Sequence, residues 1–86
     1  MTTFTGIEHD SLLLAAIDED FCEWMTENEI DSEDWCEFGQ AIQSYKHTDR
    51  FLSHFFEGLK IESCIIYWTH YSPYLNRKIK EFIERM

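Results

Sequence analysis

The first 45 residues contain no lysine and no arginine. They do contain twelve acids: Glu8, Asp10, Asp18, Glu19, Asp20, Glu23, Glu27, Glu29, Asp31, Glu33, Asp34 and Glu37. All seven bases of the chain lie in residues 46–86, where five acids accompany them, so the halves carry −12 and +2 and the whole carries −10. A shortage of positive charge on this scale argues against direct binding to nucleic acid, which needs a basic face. It argues equally against docking on an anionic membrane. Proline occurs once and glycine three times in 86 residues, which excludes collagen-like and Pro/Gly-rich disordered chains. No apolar run approaches the roughly 18 residues that a membrane span needs. The start, Met1 to Gly6, lacks the basic and long apolar regions of a signal peptide. Cysteine is sparse and odd in number, with Cys22, Cys36 and Cys64 in no paired spacing, so a reducing cytoplasm fits better than a disulfide scaffold.

What the chain has in quantity is aromatic residues, at 16%, set in a helical period. Leu13, Ile17, Phe21 and Met25 recur at steps of four, with Leu14 and Trp24 beside them, and predict a helix over about 10–28 started by Asp10 or Ser11. Asp20, Glu23 and Glu27 are then expected on one outward face, with Glu19 alongside. Asp31 or Ser32 reads as the cap of a second helix over 32–46, with Trp35, Phe38, Ile42 and Tyr45 as its apolar side and Glu33 and Asp34 at its positive end. Thr48-Asp49 reads as a third start, with Phe51, Leu52, Phe55, Phe56 and Leu59 following and Gly58 near the end; the phase also permits one long helix over 32–58. Residues 61–71 fit a helix through Ile61, Cys64, Ile65, Trp68 and Tyr71, and fit a strand through alternate positions; helix is preferred because no other segment offers a strand to pair with. Ser72-Pro73 marks the last boundary, ahead of a helix with Leu75, Ile79, Phe82, Ile83 and Met86 inside and Arg77, Lys78, Lys80 and Arg85 outside. The expected fold is all-α, a single domain of four to five short helices packed as a bundle. A chain of this size buries roughly 60–65% of its unfolded surface, too little to enclose a large cofactor as well.

Sites for chemistry are scarce. Asp18, Asp20 and Glu29 match positions 1, 3 and 12 of a calcium loop, but Cys22 and Glu23 stand where a hard ligand and a turn glycine are required. The four histidines (His9, His47, His54, His70) and three cysteines show no zinc-ligand spacing. His9, Asp10 and Ser11 are consecutive, which points them in different directions rather than into a triad. Acids around Cys22 and Cys36 raise a thiol pKa and make poor nucleophiles. No glycine-rich phosphate loop or strained serine turn occurs. No catalytic residue, metal ligand or cofactor is expected, and the chain reads as a non-enzyme.

The acidic half is the remaining signal. Clustered like charge opposes compaction, and a basic partner surface is the physical reason that fits. Asp20, Glu23, Glu27, Glu33, Asp34 and Glu37 are the expected contact charges, with Trp24 and Trp35 as candidate anchors inside the acidic stretch. In size, acidity and helicity the chain resembles nuclease-toxin immunity proteins and phage-encoded anti-defence or DNA-mimic proteins, without a motif that assigns residues. That resemblance implies a cytoplasmic inhibitor that occludes a basic nucleic-acid-handling protein, such as a nuclease or DNA-binding complex. The alternatives are a structural or adaptor module that forms a homodimer, acidic half against basic last helix, and a small Cys/His metal-binding regulator.

Overall fold

The computed structural model describes residues 11–86, and five α-helices take up 72% of them with no strand. They are α1 (Ser11–Glu27), α2 (Trp35–Tyr45), α3 (Asp49–Leu52), α4 (Ile61–Tyr71) and α5 (Pro73–Glu84). The expected all-α bundle is therefore the observed fold, and the ambiguous stretch 61–71 is helical. The proposed cap Asp10, and His9 beside it, lie outside the described residues.

The core forms where the apolar period places it. Leu14, Ile17, Phe21 and Met25 of α1 are buried against Phe38, Ala41 and Tyr45 of α2, Phe51 of α3, Cys64, Tyr67 and Trp68 of α4, and Leu75 and Phe82 of α5. Helix α1 touches each of the other four, and α4 also packs on α5. Phe21 sits at the centre, with ring centroids of Tyr45 and Trp68 each 5.0 Å away and those of Phe38 and Tyr74 at 6.0 and 6.3 Å. Edge-on and tilted ring pairs of this kind add about 0.5–1.5 kcal/mol each beyond area burial, so a small chain gains cohesion from its aromatic content.

Four details depart from the sequence reading. Helix α2 begins later than 32, because Asp34 rather than Asp31 or Ser32 caps it: the Asp34 carboxylate accepts from the Glu37 N–H at 3.1 Å. Asp31 instead holds the preceding loop, accepting from the Glu33 N–H at 2.9 Å. The third helix is a single turn. Thr48 caps it as expected, but N–H groups of His54 and Phe55 bond three residues back, to Phe51 and Leu52, and tighten the chain out of the helix. Phe55 still packs on Phe51, whereas Phe56 is exposed. In α4 the buried stripe is Cys64, Tyr67 and Trp68, leaving Ile61 and Tyr71 about half exposed. In α5, Lys78 is buried rather than outward and Ile83 is exposed, as is Met86 beyond the helix end.

The end of α1 is specific. The Ile30 N–H reaches back to the Met25 carbonyl at 2.9 Å and the Glu29 N–H to Thr26 at 3.2 Å, the paired bonds of a Schellman cap. Glu29 occupies the left-handed position, with φ of 55°, that glycine usually fills. A side chain there is strained, and a carboxylate at a helix C-terminus meets the negative end of the dipole. Glu29→Gly is therefore expected to stabilise the fold by about 0.5–1 kcal/mol, read as a higher urea midpoint at unchanged slope.

Candidate protein-binding face

Successive residues of an α-helix are separated by about 100° around its axis. Counting from the buried stripe of α1, Asp18 and Asp20 fall on opposite flanks, and Glu19, Glu23 and Glu27 fall on the outer side at axial steps of about 6 Å. The structure follows this division, and the acids separate into two groups with different jobs.

The flanking acids are bound into the fold. Asp18 accepts from the Trp68 indole N–H at 3.0 Å, the Ser72 hydroxyl at 2.5 Å and the Tyr74 backbone N–H at 3.3 Å, and so fixes the corner between α4 and α5. Ser72 is fully buried and also caps α5, accepting from the Leu75 N–H. Asp20 accepts from the Tyr45 hydroxyl at 2.5 Å and from Arg50 Nη2 at 2.8 Å, with His54 Nε2 at 3.6 Å. Its carboxylate is only 20% exposed, which corrects the expectation that it shares the outward face. The Arg50 hydrogen bond leads in holding the Asp20 pKa below its ordinary value, against the opposing effect of burial. Burial first, and the Asp20 carboxylate next, push the Tyr45 phenol far up. The calcium-loop match dissolves here, since Asp18 and Asp20 lie on an unbroken helix and point to different partners.

Four of the other expected contact acids are also engaged. Glu27 receives Arg50 Nη1 at 3.0 Å but remains 60% exposed. Glu33 is gripped by Lys78 and by Arg85 Nη2, the latter at 3.1 Å, which draw its pKa down in that order. The Lys78 side chain is only 9% exposed, so Glu33 neutralises a nearly buried cation and ties the loop before α2 to α5. Asp34 caps α2, and Glu37 Oε1 accepts from the Asp31 N–H at 3.3 Å. Trp24 is half-buried and contributes to the core, 6.3 Å from Phe21 and 5.6 Å from Tyr45. Trp35 is 50% exposed, with one edge on Phe82 at 5.3 Å.

The outer acids remain. Glu19, Cys22, Glu23, Thr26 and Glu27 line a shallow open depression of about 400 Å³ along α1. From there the acids continue through Glu29 and Asp31 in the loop to Asp34 and Glu37 in the first turn of α2. Among the described residues, no lysine, arginine or histidine nitrogen lies within 4 Å of Glu19, Glu23, Glu29, Asp31, Asp34 or Glu37. The structure thus sets Glu19, Glu23 and Glu27 along one side of α1, while the parts that Asp18, Arg50 and Lys78 play in holding the fold were not read from the sequence. The spacing of Trp68 and Ser72, one helical turn apart, is the signal that a single carboxylate serves both.

Other chemistry has little to work with. No three His, Cys, Asp or Glu side chains of the described residues converge as metal ligands. The three cysteines are unpaired, and burial raises the thiol pKa of Cys22 and Cys64; at Cys22 the Tyr74 hydroxyl opposes that rise and the Asp18 charge adds to it. None of the described helices is long and apolar enough to cross a membrane. No protein-family model, curated protein or solved structure matches the chain.

The Asp20–Tyr45 bond has a defined pH signature. Asp20 has a lowered folded pKa, so its stabilisation is complete above its ordinary 3.8 and is lost as pH falls through the folded value. Tyr45 has a raised folded pKa, so its stabilisation is complete below 10.0 and is lost as pH rises toward the folded value. Tyr45→Phe is expected to cost about 1–2 kcal/mol. In urea titrations the difference from the wild type stays flat from about pH 5 to 9 and shrinks at both extremes.

Proposed function

We propose that this protein is an acidic helical inhibitor, not an enzyme, that binds and occludes a basic nucleic-acid-handling protein such as a nuclease or a DNA-binding complex. It acts in the manner of immunity or DNA-mimic proteins, without cofactor, metal or direct contact to nucleic acid or membrane, and its place of action is the cytoplasm. The observation that carries this reading is the uncompensated acidic surface. The second half of the chain supplies cations, yet Arg50, Lys78 and Arg85 fold back onto Asp20, Glu27 and Glu33. Glu19 and Glu23 on the outer side of α1, and Glu29, Asp31, Asp34 and Glu37 beyond it, keep their charge.

Glu29 supports the same reading from a different direction. Backbone strain and the helix dipole both oppose an acid at that position, and strained residues cluster at sites of function. Carboxylates fixed on rigid helices lose little freedom on binding, and a dense field of one sign accelerates encounter with a basic surface. Glu23, Glu27, Asp34 and Glu37 are the contact charges best placed for this, with Glu19 added and Trp35 as the half-exposed anchor. Asp20 and Glu33 contribute field rather than free carboxylates.

The reading is tested with substitutions that leave the fold alone. Glu19 and Glu23 make no contact that holds the structure, so the double reversal Glu19→Lys/Glu23→Lys should preserve helical content by circular dichroism. Affinity capture from nuclease-treated host lysate, at low and high salt, should retain a dominant basic nuclease or DNA-binding protein on the wild type. With that protein purified, the reversal should slow association at least tenfold and flatten its salt dependence. Capture of no basic protein, or association unchanged by the reversal, would sink the proposal.

A further inference from the structure

The turn between α1 and α2 is shaped from within by short bonds. Asp31 accepts from the Glu33 N–H and donates its own N–H to Glu37 Oε1, and Asp34 accepts from the Glu37 N–H. These bonds fix the form of the turn but not its seat on the bundle. Among the described residues, two side chains of the turn reach a distant part of the chain by hydrogen bond, ion pair or ring contact. They are Glu33 and Trp35, and both end on α5. Glu33 Oε2 takes Lys78 and Oε1 takes Arg85, while the Trp35 ring stands edge-on to Phe82 at 5.3 Å. Lys78, Phe82 and Arg85 follow at i, i+4 and i+7, which is one stripe of a helix. Lys78 Nζ and Arg85 Cζ also lie over the Phe82 ring, at 5.4 and 5.3 Å from its centroid. A ring and two cations thus make one socket, and the turn enters it with residues two apart. Asp34, between them, caps its own helix instead.

We infer that Glu33 is a positioning residue for the acidic face: its bridge to Lys78 and Arg85 seats the turn on α5 and so sets where Asp31, Asp34, Glu37 and Trp35 stand toward a basic partner. The inference rests on the inhibitor reading for the use of that face. Lys78 is nearly buried, and a buried cation without a close partner is costly. Its other acid, Glu81, stands 3.9 Å away, beyond hydrogen-bond reach. Glu33 is therefore held where Lys78 needs it. The Arg85 contact is half-exposed at both ends, so it adds little stability, but it engages the second oxygen and stops the carboxylate from turning away. The same bridge neutralises two cations beside the acidic turn that would otherwise repel a basic partner.

Lys78→Met with Arg85→Gln releases Glu33, and methionine fills the space of the buried lysine stem. This variant is two charges more negative than the wild type at −10, so the field alone would make it bind a basic protein faster and more tightly. Positioning predicts the reverse. In nitrogen-15 relaxation of the free protein, order parameters of residues 31–35 should fall from about 0.85 to below about 0.6 while those of α1 and α4 hold. Against the basic protein retained by capture, once purified, dissociation should quicken at least tenfold, with a smaller change in association. Glu33→Gln should loosen the same residues, whereas Glu19→Gln, which removes one charge elsewhere on the face, should not. If one released variant fails to fold, the other decides. Unchanged order in residues 31–35 overturns the inference, as does loosening spread evenly through the bundle. Binding by the Lys78→Met/Arg85→Gln variant as tight as the wild type, or tighter, overturns it too. Capture of no basic protein sinks the inhibitor reading instead, and relaxation of the free protein still decides whether Glu33 holds the turn.

Discussion

Everything in this fold hangs on two carboxylates of α1 that flank the Phe21 ring. Asp18 reaches to one side and holds the indole of Trp68, the hydroxyl of Ser72 and the backbone of Tyr74. Asp20 reaches to the other and holds Tyr45 and Arg50. Every one of these partners belongs to, or caps, a helix that also packs on α1. The aromatic core supplies most of the cohesion, but aromatic rings slide and rotate with little penalty. Directional bonds to two fixed acids set the positions of α2, α3 and the α4–α5 corner around it.

The acidity of the first half therefore has two physical meanings. Acids beside the buried stripe are consumed as acceptors for groups that would otherwise be buried without a partner, and among the described residues no buried side-chain nitrogen or oxygen is left unsatisfied. Glu19 and Glu23 on the outer side of α1 make no such contribution, and Asp31, Asp34 and Glu37 in the turn to α2 accept only from exposed backbone N–H groups. Their mutual repulsion is a cost that the core has to offset. A buried lysine on α5 adds a third use, since Glu33 compensates Lys78 from across the bundle.

Helix period made most of the architecture legible. Phe21, Met25, Phe38, Tyr45, Leu75 and Phe82 could be placed inside from spacing alone, and Thr48, Ser72 and Pro73 marked real boundaries. Local capping was harder, because Asp31, Ser32 and Asp34 are equally good caps by type and only the geometry of the loop from Ile30 selects Asp34. The length of α3 was overestimated for a related reason: its apolar residues keep phase whether or not the backbone does, and Phe55 reaches the core from a turn. At the candidate face, residue type could not distinguish a carboxylate turned to solvent from one turned to a tyrosine. Asp20 and Glu23 look alike in sequence, and what separates them is the position of Tyr45 and Arg50, 25 and 30 residues away.

The dependence on α1 also sets an order of events during synthesis. The helix whose apolar stripe organises the core is synthesised before its partners at Trp68, Ser72 and Tyr74, which are 50 to 56 residues behind it. At ordinary elongation rates that interval lasts on the order of several seconds. Throughout it Phe21 and Ile17 have no complete core to enter. The density of negative charge on the same helix opposes contact between unfinished copies for that time. Charge that strains the finished bundle thus protects the unfinished one.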